Sequence, residues 1–324
     1  MIKKDDKIYI AGHNGLVGRA IYKKLKNKGY KKLIVEDRKK LDLTDQSKVY
    51  KFLKKNKPKF IFILAAKVGG IFANINNKAD YIYENIIIQS NLIHGAFKCG
   101  VKNIIFLGSS CIYPKYSKQP MKEKYILTGK LEETNDSYSI AKIAGIKMCE
   151  SYNQQYKTNY KSLIPSNIIG PNDNYDKLNS HFIPAIIRKT HNIKMNKSKN
   201  LIIFGNGKAK REIIYVDDVA DACIYFMNKK IKESYINVGT GKDFTITEYA
   251  KKIIKIVLKD KKVKIKFDKK KPNGMPRKVL NINLAKKYGW QSKISIDSAL
   301  KKTYFSYIKN KNTNNKNLDN FKLK

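Results

Sequence analysis

In the first half of the chain, short apolar runs alternate with segments whose apolar residues recur at helical spacing. KIYIAG (7–12), KLIVED (32–37), KFIFILAA (59–66), NIIFLGS (103–109) and YKSLIPSN (160–167) predict strands. Between them, LVGRAIYKKLKNKGY sets Leu16, Val17, Ala20, Ile21 and Leu25 on one helical face, and KVYKFLKKNK predicts a second helix. ADYIYENIIIQSNLIHGAFKCG (79–100) and DSYSIAKIAGIKMCESYNQQY (136–156) predict two long helices, the first ending at Gly100, which suits a C′ position. Strands separated by helices of this length make parallel βαβ units. The expected class is therefore α/β, a Rossmann-type doubly wound sheet.

The second half is less regular. PNDNYDKLNSHF (171–182) reads as a polar loop and IPAIIRKT as a helix, while residues 200–227 read as strand, GNG turn, strand, helix. One of Asp217 and Asp218 is expected to cap that helix, and Thr245 or Thr247 the helix in FTITEYAKKIIKIV. From about residue 309 the sequence is poor in apolar residues and rich in Lys and Asn, so 309–324 reads as a disordered tail. No internal repeat is present.

Composition narrows the class. Hydrophobic residues make up 42%, with 21 Tyr and 13 Phe, which excludes wholesale disorder. No apolar run reaches the roughly 18 residues of a membrane span, and the N-terminus enters a strand with no secretory h-region. A cytoplasmic protein without a membrane partner is expected. The four cysteines, Cys99, Cys111, Cys149 and Cys223, form no metal-ligand spacing with His, so no metal is expected. The formal net charge of +42 suggests nucleic acid at first sight. Only five of the cations are Arg (19, 38, 188, 211, 277), and the Lys are scattered among Asn, Ile and Tyr. These residues share A/T-rich codons, so genome bias explains the charge without a nucleic-acid partner.

AGHNGLVG holds Gly12, Gly15 and Gly18 between the first strand and first helix. Glycines there let the backbone approach a pyrophosphate, and the helix N-terminus offers free N–H groups. The second strand ends Glu36-Asp37-Arg38, which supplies both an acid for a ribose hydroxyl and a cation for a 2′-phosphate. Tyr138 and Lys142 form YxxxK, and i,i+4 spacing puts both on one helix face. A protonated Lys142 is expected to lower the phenol pKa of Tyr138, which then exchanges a proton with a carbonyl oxygen. Ser109, at a strand end where open α/β sheets place ligands, can hold the same oxygen.

With these residues in this order, the chain resembles the extended short-chain dehydrogenase/reductases. More narrowly it resembles the bifunctional 3,5-epimerase/4-reductases of GDP-4-keto-6-deoxymannose. AGHNGLVG, LAAKVGGI (64–71), GSSCIYP (108–114), KQPMKE (118–123), YSIAKIAGIKMCESYNQQY, NSHFIPA (179–185), REIIYVDD (211–218) and PRKVLN (276–281) carry the likeness over about residues 7–290. It implies an NADP-dependent enzyme that converts GDP-4-keto-6-deoxy-D-mannose to GDP-L-fucose, as a homodimer through the two long helices. It also implies a nucleotide-binding domain (1–167 and 211–237) and a smaller C-terminal α/β substrate-binding lobe (168–210 and 238–308).

The resemblance gives Cys111 and His181 the roles of base and acid at C3 and C5. Thiol and imidazole pKa values of about 8.5 and 6.5 suit proton exchange near neutrality. Cofactor contacts implied by the resemblance are Gly12, His13, Asn14, Gly15, Leu16, Val17, Gly18, Arg38, Leu64, Ala65, Ala66, Lys142, Pro165, Asn167, Ile168 and His181. Implied substrate contacts are Val68, Gly69, Ser110, Lys189, Phe204, Arg211 and Asn281. Four positions depart from some relatives: Lys189 stands for Arg, Phe204 for Trp, Asn281 for Asp and Asn14 for Arg. Two rivals stay open, another nucleotide-4-keto-6-deoxyhexose epimerase or reductase and, more remotely, a basic nucleic-acid-binding protein on a reductase scaffold.

Overall fold

The computed structural model describes residues 1–177, 179–196, 198–259 and 263–312. The chain opens β1 (Ile8–Ala11), α1 (Leu16–Asn27), β2 (Leu33–Ile34), α2 (Gln46–Asn56), β3 (Phe60–Ile63), α3 (Ile71–Asn76), α4 (Lys78–Lys98), β4 (Asn103–Leu107), α5 (Asp136–Tyr156) and β5 (Asn159–Pro165). It continues β6 (Asn167–Ile169), α6 (Phe182–Lys194), β7 (Asn200–Phe204), β8 (Lys210–Tyr215), α7 (Val216–Asn228), β9 (Tyr235–Val238), β10 (Asp243–Thr245), α8 (Ile246–Leu258), β11 (Lys264–Asp268), β12 (Arg277–Lys278), α9 (Asn283–Lys287) and α10 (Ile296–Asn312).

The main sheet has six parallel strands in the order β2-β1-β3-β4-β5-β9. Its strands are apolar on both faces because helices cover both, α2, α4 and α5 on one side and α1 and α7 on the other. This is the Rossmann-type doubly wound sheet the sequence predicts, with the order reversing beside β1. The C-terminal ends of β1, β3, β4 and β5 deliver Gly12, Leu64, Ser109 and Asn167 to one edge of the sheet. α5 occupies the span read from its apolar spacing, and Gly100 follows α4 at φ +75°.

Several expectations need correction. The second strand is only Leu33–Ile34, an edge strand paired to β1, and the chain then turns through Asp37, whose carbonyl accepts from Leu41 N at 2.9 Å. Neither Asp217 nor Asp218 caps α7, whose N-cap is Tyr215. Buried Asp218 instead accepts from Lys293 N and Ile294 N at 3.1 and 3.0 Å, tying the C-terminal segment down. Thr245 caps α8 in a capping box with Glu248. Residue 211 lies in β8, which runs in a small sheet with β6, β10 and β12. An apolar run such as EIIYV suits either sheet, and only pairing decides. α7 then returns to pack on α1. α10 runs to Asn312, four positions into the expected tail, because Leu300, Tyr304 and Tyr307 bury one face of it. The rest of that tail lies outside the described residues.

Candidate active site

Gly12 has φ +90°, and a Cβ there would lie 2.6 Å from Ala65 N, so the loop passes directly over the end of β3. A Cβ on Gly18 would lie 2.1 Å from Gly12 O, so α1 also abuts the loop. Gly15 caps α1 without a side chain, which leaves the first-turn N–H groups bordered by backbone alone. This cradle fits a dinucleotide diphosphate. Leu64 N and Ala65 N both donate to Ala11 O at 3.0 Å and fix the neighbouring strand end, from which Ala66 follows. Val17 is buried and Leu16 half-buried, so both pack α1. At the outer end, Asn14 Nδ2 donates to Asp37 Oδ1 at 2.5 Å and His13 Nε2 lies 3.5 Å from it. Arg38 is exposed, 3.6 Å from Glu84. Asp37 is thus engaged by the glycine loop while the guanidinium projects to solvent. Pro165 is buried, Ile168 half-buried, and Asn167 Nδ2 donates to Glu212 O at 2.7 Å, joining β6 to β8.

Ser109 caps a single 3₁₀ turn, Ser110–Ile112, and its Oγ accepts from Cys111 N at 3.3 Å. Tyr138 and Lys142, one turn apart on α5, are 9% and 3% exposed. Lys142 Nζ donates to Leu107 O at 2.9 Å and lies 5.9 Å from the Tyr138 ring centre. Tyr81 stands edge-on to Tyr138 at 6.5 Å. The expected lowering of the phenol does not occur here. Burial raises its pKa, the Cys111 thiolate adds to that, and the Ser109 hydroxyl works against both. Lys142 is itself pushed down to about 7 by burial, so its charge is too weakly held to outweigh the desolvation of the ring.

Cys111 meets a partner that sequence reasoning missed. Lys278 Nζ lies 3.4 Å from Cys111 Sγ, and Asn135 Nδ2 donates to the same sulfur at 3.3 Å. Burial raises the thiol pKa, but Lys278, the Ser109 hydroxyl and Arg211 together bring it below the usual thiol value. Lys278 reaches the sulfur because β12 pairs in parallel with β8, with Lys278 opposite Arg211. Arg211 donates to Met275 O, Lys210 O and Asn273 O at 2.5, 2.8 and 3.2 Å. The strand is held by Glu212, fully buried, which accepts from Leu280 N at 2.7 Å and Gly241 N at 2.8 Å. The only earlier signal was PRKVLN within the family likeness, and one Lys among 68 basic residues carries no mark of its own.

His181 is the N-cap of α6 and opens to the cleft. The surrounding protein and then the Lys278 ammonium lower its pKa to about 4. Its imidazole is therefore neutral at pH 7 in this state, a departure from the near-neutral exchange expected of it. The loop before it packs on the AKVGG turn. Gly70 N donates to Asn179 O at 3.0 Å, and a Cβ on Gly70 would lie 2.7 Å from Ser180 O. A Cβ on Gly69 would lie 2.3 Å from the Tyr81 hydroxyl.

Of the remaining expected substrate residues, Val68 is exposed and Ser110 buried. Phe204 is exposed on β7, with Lys189 Nζ 4.3 Å above its ring and donating to Ile202 O at 2.8 Å. Asn281 is engaged locally, its Oδ1 accepting from Asn283 N at 3.0 Å. Among the described residues no group of three or more His, Cys, Asp or Glu side chains could hold a metal, and no helix is long and apolar enough to cross a membrane.

The model of the NAD dependent epimerase/dehydratase family matches residues 8–239. The chain belongs to the NAD dependent epimerase/dehydratase family. Within this family it groups with GDP-L-fucose synthases: that of Sinorhizobium fredii is 45% identical over 304 residues, 94% of this chain and 96% of the relative. A GDP-6-OMe-4-keto-L-xylo-heptose reductase from C. jejuni superposes with a TM-score of 0.88 at 35% identity, covering 95% of this chain and 99% of that one. A GDP-L-fucose synthetase from Naegleria fowleri, bound to NADP, superposes with a TM-score of 0.87 at 25% identity, covering 97% and 96%.

Proposed function

We propose that the chain is a bifunctional 3,5-epimerase/4-reductase that converts GDP-4-keto-6-deoxy-D-mannose to GDP-L-fucose with NADPH. The observation that carries this reading is Cys111, a thiol of lowered pKa held in the same turn as Ser109 and packed against Tyr138. A reductase alone needs no carbon base.

Hydrogens at C3 and C5 are acidic because the enolate spreads charge onto the C4 oxygen. In this reading Ser109 and Tyr138 hold that oxygen through enolisation, as an oxyanion hole does. Cys111 removes the carbon protons. Its pKa is lowered from the ordinary thiol value, whereas the alcohol of a serine in its place would stay protonated. His181 delivers protons to the opposite face. Since it is neutral in the free cleft, this role requires proton uptake as the anionic substrate enters and offsets Lys278 and Arg211. NADPH, when bound on the glycine loop, supplies hydride to C4. Tyr138, protonated at neutral pH, then gives its proton to the C4 oxygen. Arg211, Lys189 and Phe204 are the proposed contacts of the GDP moiety, with guanidinium and ammonium for phosphate and an exposed ring for stacking.

The residues from β1 to β5 with α7 and β9 form the nucleotide-binding domain in this reading, and the small sheet with β7, β11 and α6 the substrate lobe. The protein works in the cytoplasm, as a homodimer through α4 and α5, where Tyr83, Ile140 and Tyr156 are exposed. No nucleic acid takes part.

The test is incubation with GDP-4-keto-6-deoxymannose and NADPH in deuterated water. Nicotinamide oxidation with deuterium at both C3 and C5 is the expected outcome. Oxidation without deuterium would leave a 4-reductase, the second reading favoured by the likeness to the heptose reductase. No reaction with this sugar, and turnover of another GDP-sugar, would move the substrate assignment.

A further inference from the structure

Lys278 presents an unusual balance. It is 8% exposed, and among the described residues it forms no ion pair with a carboxylate. An ammonium taken out of water without a counter-ion is costly. The group within reach of its Nζ is the sulfur of Cys111, at 3.4 Å. Its own backbone has little freedom to retreat. On one side Arg277 grips Asp243 with two hydrogen bonds of 2.7 and 3.2 Å. On the other, Val279 N donates to Gln119 Oε1 at 3.0 Å and Leu280 N to Glu212 Oε2 at 2.7 Å. Met121 N closes the frame on Val279 O at 2.8 Å.

We propose that Lys278 is a positioning residue, delivered by β12 and fixed by Glu212 and Asp243, that serves as the counter-ion of Cys111 and keeps it a thiolate before substrate arrives. This rests on the reading of Cys111 as the carbon base. The groups that face the thiol support the assignment. Ser109 and Asn135 donate or share hydrogen bonds without charge, and Tyr138 and Tyr81 stay protonated. His181 is neutral. Arg211, the other cation, spends its guanidinium on three backbone carbonyls. Glu132, a carboxylate that acts on Arg211, is paired with Lys115 at 3.5 Å. Lys278 is thus the cation in direct contact with the sulfur, with Arg211 adding to its effect from farther off. Because it comes from the small sheet while the thiol comes from the main sheet, the base is complete only when the two sheets are in register.

The test is the pH dependence of Cys111 alkylation by iodoacetamide in the full-length, substrate-free enzyme, read peptide by peptide so that Cys99, Cys149 and Cys223 do not interfere. The wild-type curve should show a midpoint below the roughly 8.5 of a free thiol. Lys278→Met should move that midpoint up by a unit or more and slow alkylation at pH 7 about tenfold. Lys278→Arg should restore most of it, which a purely structural role would not require. A wild-type midpoint at or above 8.5 overturns the proposal without any variant. So does an unchanged midpoint in a folded Lys278→Met. With substrate, Lys278→Met should lose C3 and C5 exchange at pH 7 and regain it at higher pH. If the thiol behaves as described but GDP-4-keto-6-deoxymannose is not turned over, the substrate reading fails and the counter-ion assignment stands.

Discussion

The Ser139 hydroxyl donates to the carbonyl oxygen of Cys111 at 2.9 Å. The helix that carries Tyr138 is thereby fastened to the turn that carries the thiol, so the two groups proposed for proton transfer are held by one hydrogen bond. Ser139 Oγ also lies 2.9 Å from Asn135 O, which shares that hydroxyl proton, and Asn135 in turn reaches the sulfur. Perturbing either group will be felt at the other, which shapes what single substitutions should do.

Cys111→Ser should separate the two chemistries. Deuterium incorporation at C3 and C5 is expected to fall by about 10²–10⁴, the usual worth of a positioned base. Reduction of a ketone that is already epimerised should continue. NMR of the product formed in deuterated water checks both at once. Loss of both activities together in a folded variant would mean that the thiol serves the hydride step as well.

Tyr138→Phe should do the reverse only in part. Its hydroxyl is assigned to the C4 oxygen in both steps, so hydride transfer and carbon exchange should both fall, the former by roughly 10²–10⁴. Ser109→Ala removes one donor from the same oxygen and should cost about 10²–10³. The comparison of single-turnover rates with exchange rates measures the shared dependence.

Lys142 gives a prediction about stability and pH. Its folded pKa of about 7 lies below the unfolded value of 10.5. Between these values the unfolded chain binds more protons, so this group's contribution to stability rises with pH over that interval and its penalty is complete below pH 7. Lys142→Met should therefore raise the melting temperature most at pH 6 and progressively less towards pH 10, while reduction is impaired. The gain will be smaller than the ionisation penalty because Leu107 O loses its Lys142 donor, worth about 1 kcal/mol. A melting temperature that falls equally at pH 6 and pH 9 would contradict the assignment.

Two glycines should fail differently. Gly12→Ala combines a φ of +90° with a Cβ 2.6 Å from Ala65 N, so the loop must shift and NADPH affinity should drop. Gly70→Ala has an ordinary φ of −70° but puts its Cβ 2.7 Å from Ser180 O, next to His181. It should slow carbon exchange more than it weakens NADPH binding, at a stability cost of about 1–3 kcal/mol. Nucleotide titration beside deuterium exchange distinguishes the two.

The legible part of the molecule is the part whose signal is local. The apolar spacing in 136–156 marks α5 from end to end, and Gly12, Gly15 and Gly18 announce the cradle because backbone geometry leaves few other residues possible there. Ser109 and Tyr138 follow from strand end and helix face. The pairing of β8 was not legible, because EIIYV is apolar enough for either sheet. Lys278 was hidden by composition, since no single ammonium stands out in a chain this rich in Lys. Glu212 was hidden by distance, as the amides it collects lie up to 68 residues away. The ionisation of Lys142 depends on how deeply it is enclosed, which residue type and spacing do not convey.

The contact between Lys278 and Cys111 spans 167 positions of the chain. During synthesis, the serine, tyrosine and lysine of the main sheet emerge long before the strand that brings the ammonium. On the proposed assignment, a chain made only to residue 270 carries Cys111 without its counter-ion. On the same assignment, the counter-ion reaches the sulfur only after β12 has been made and has paired with β8. Birth order would then place the activation of the thiol after the serine, tyrosine and lysine that share its site.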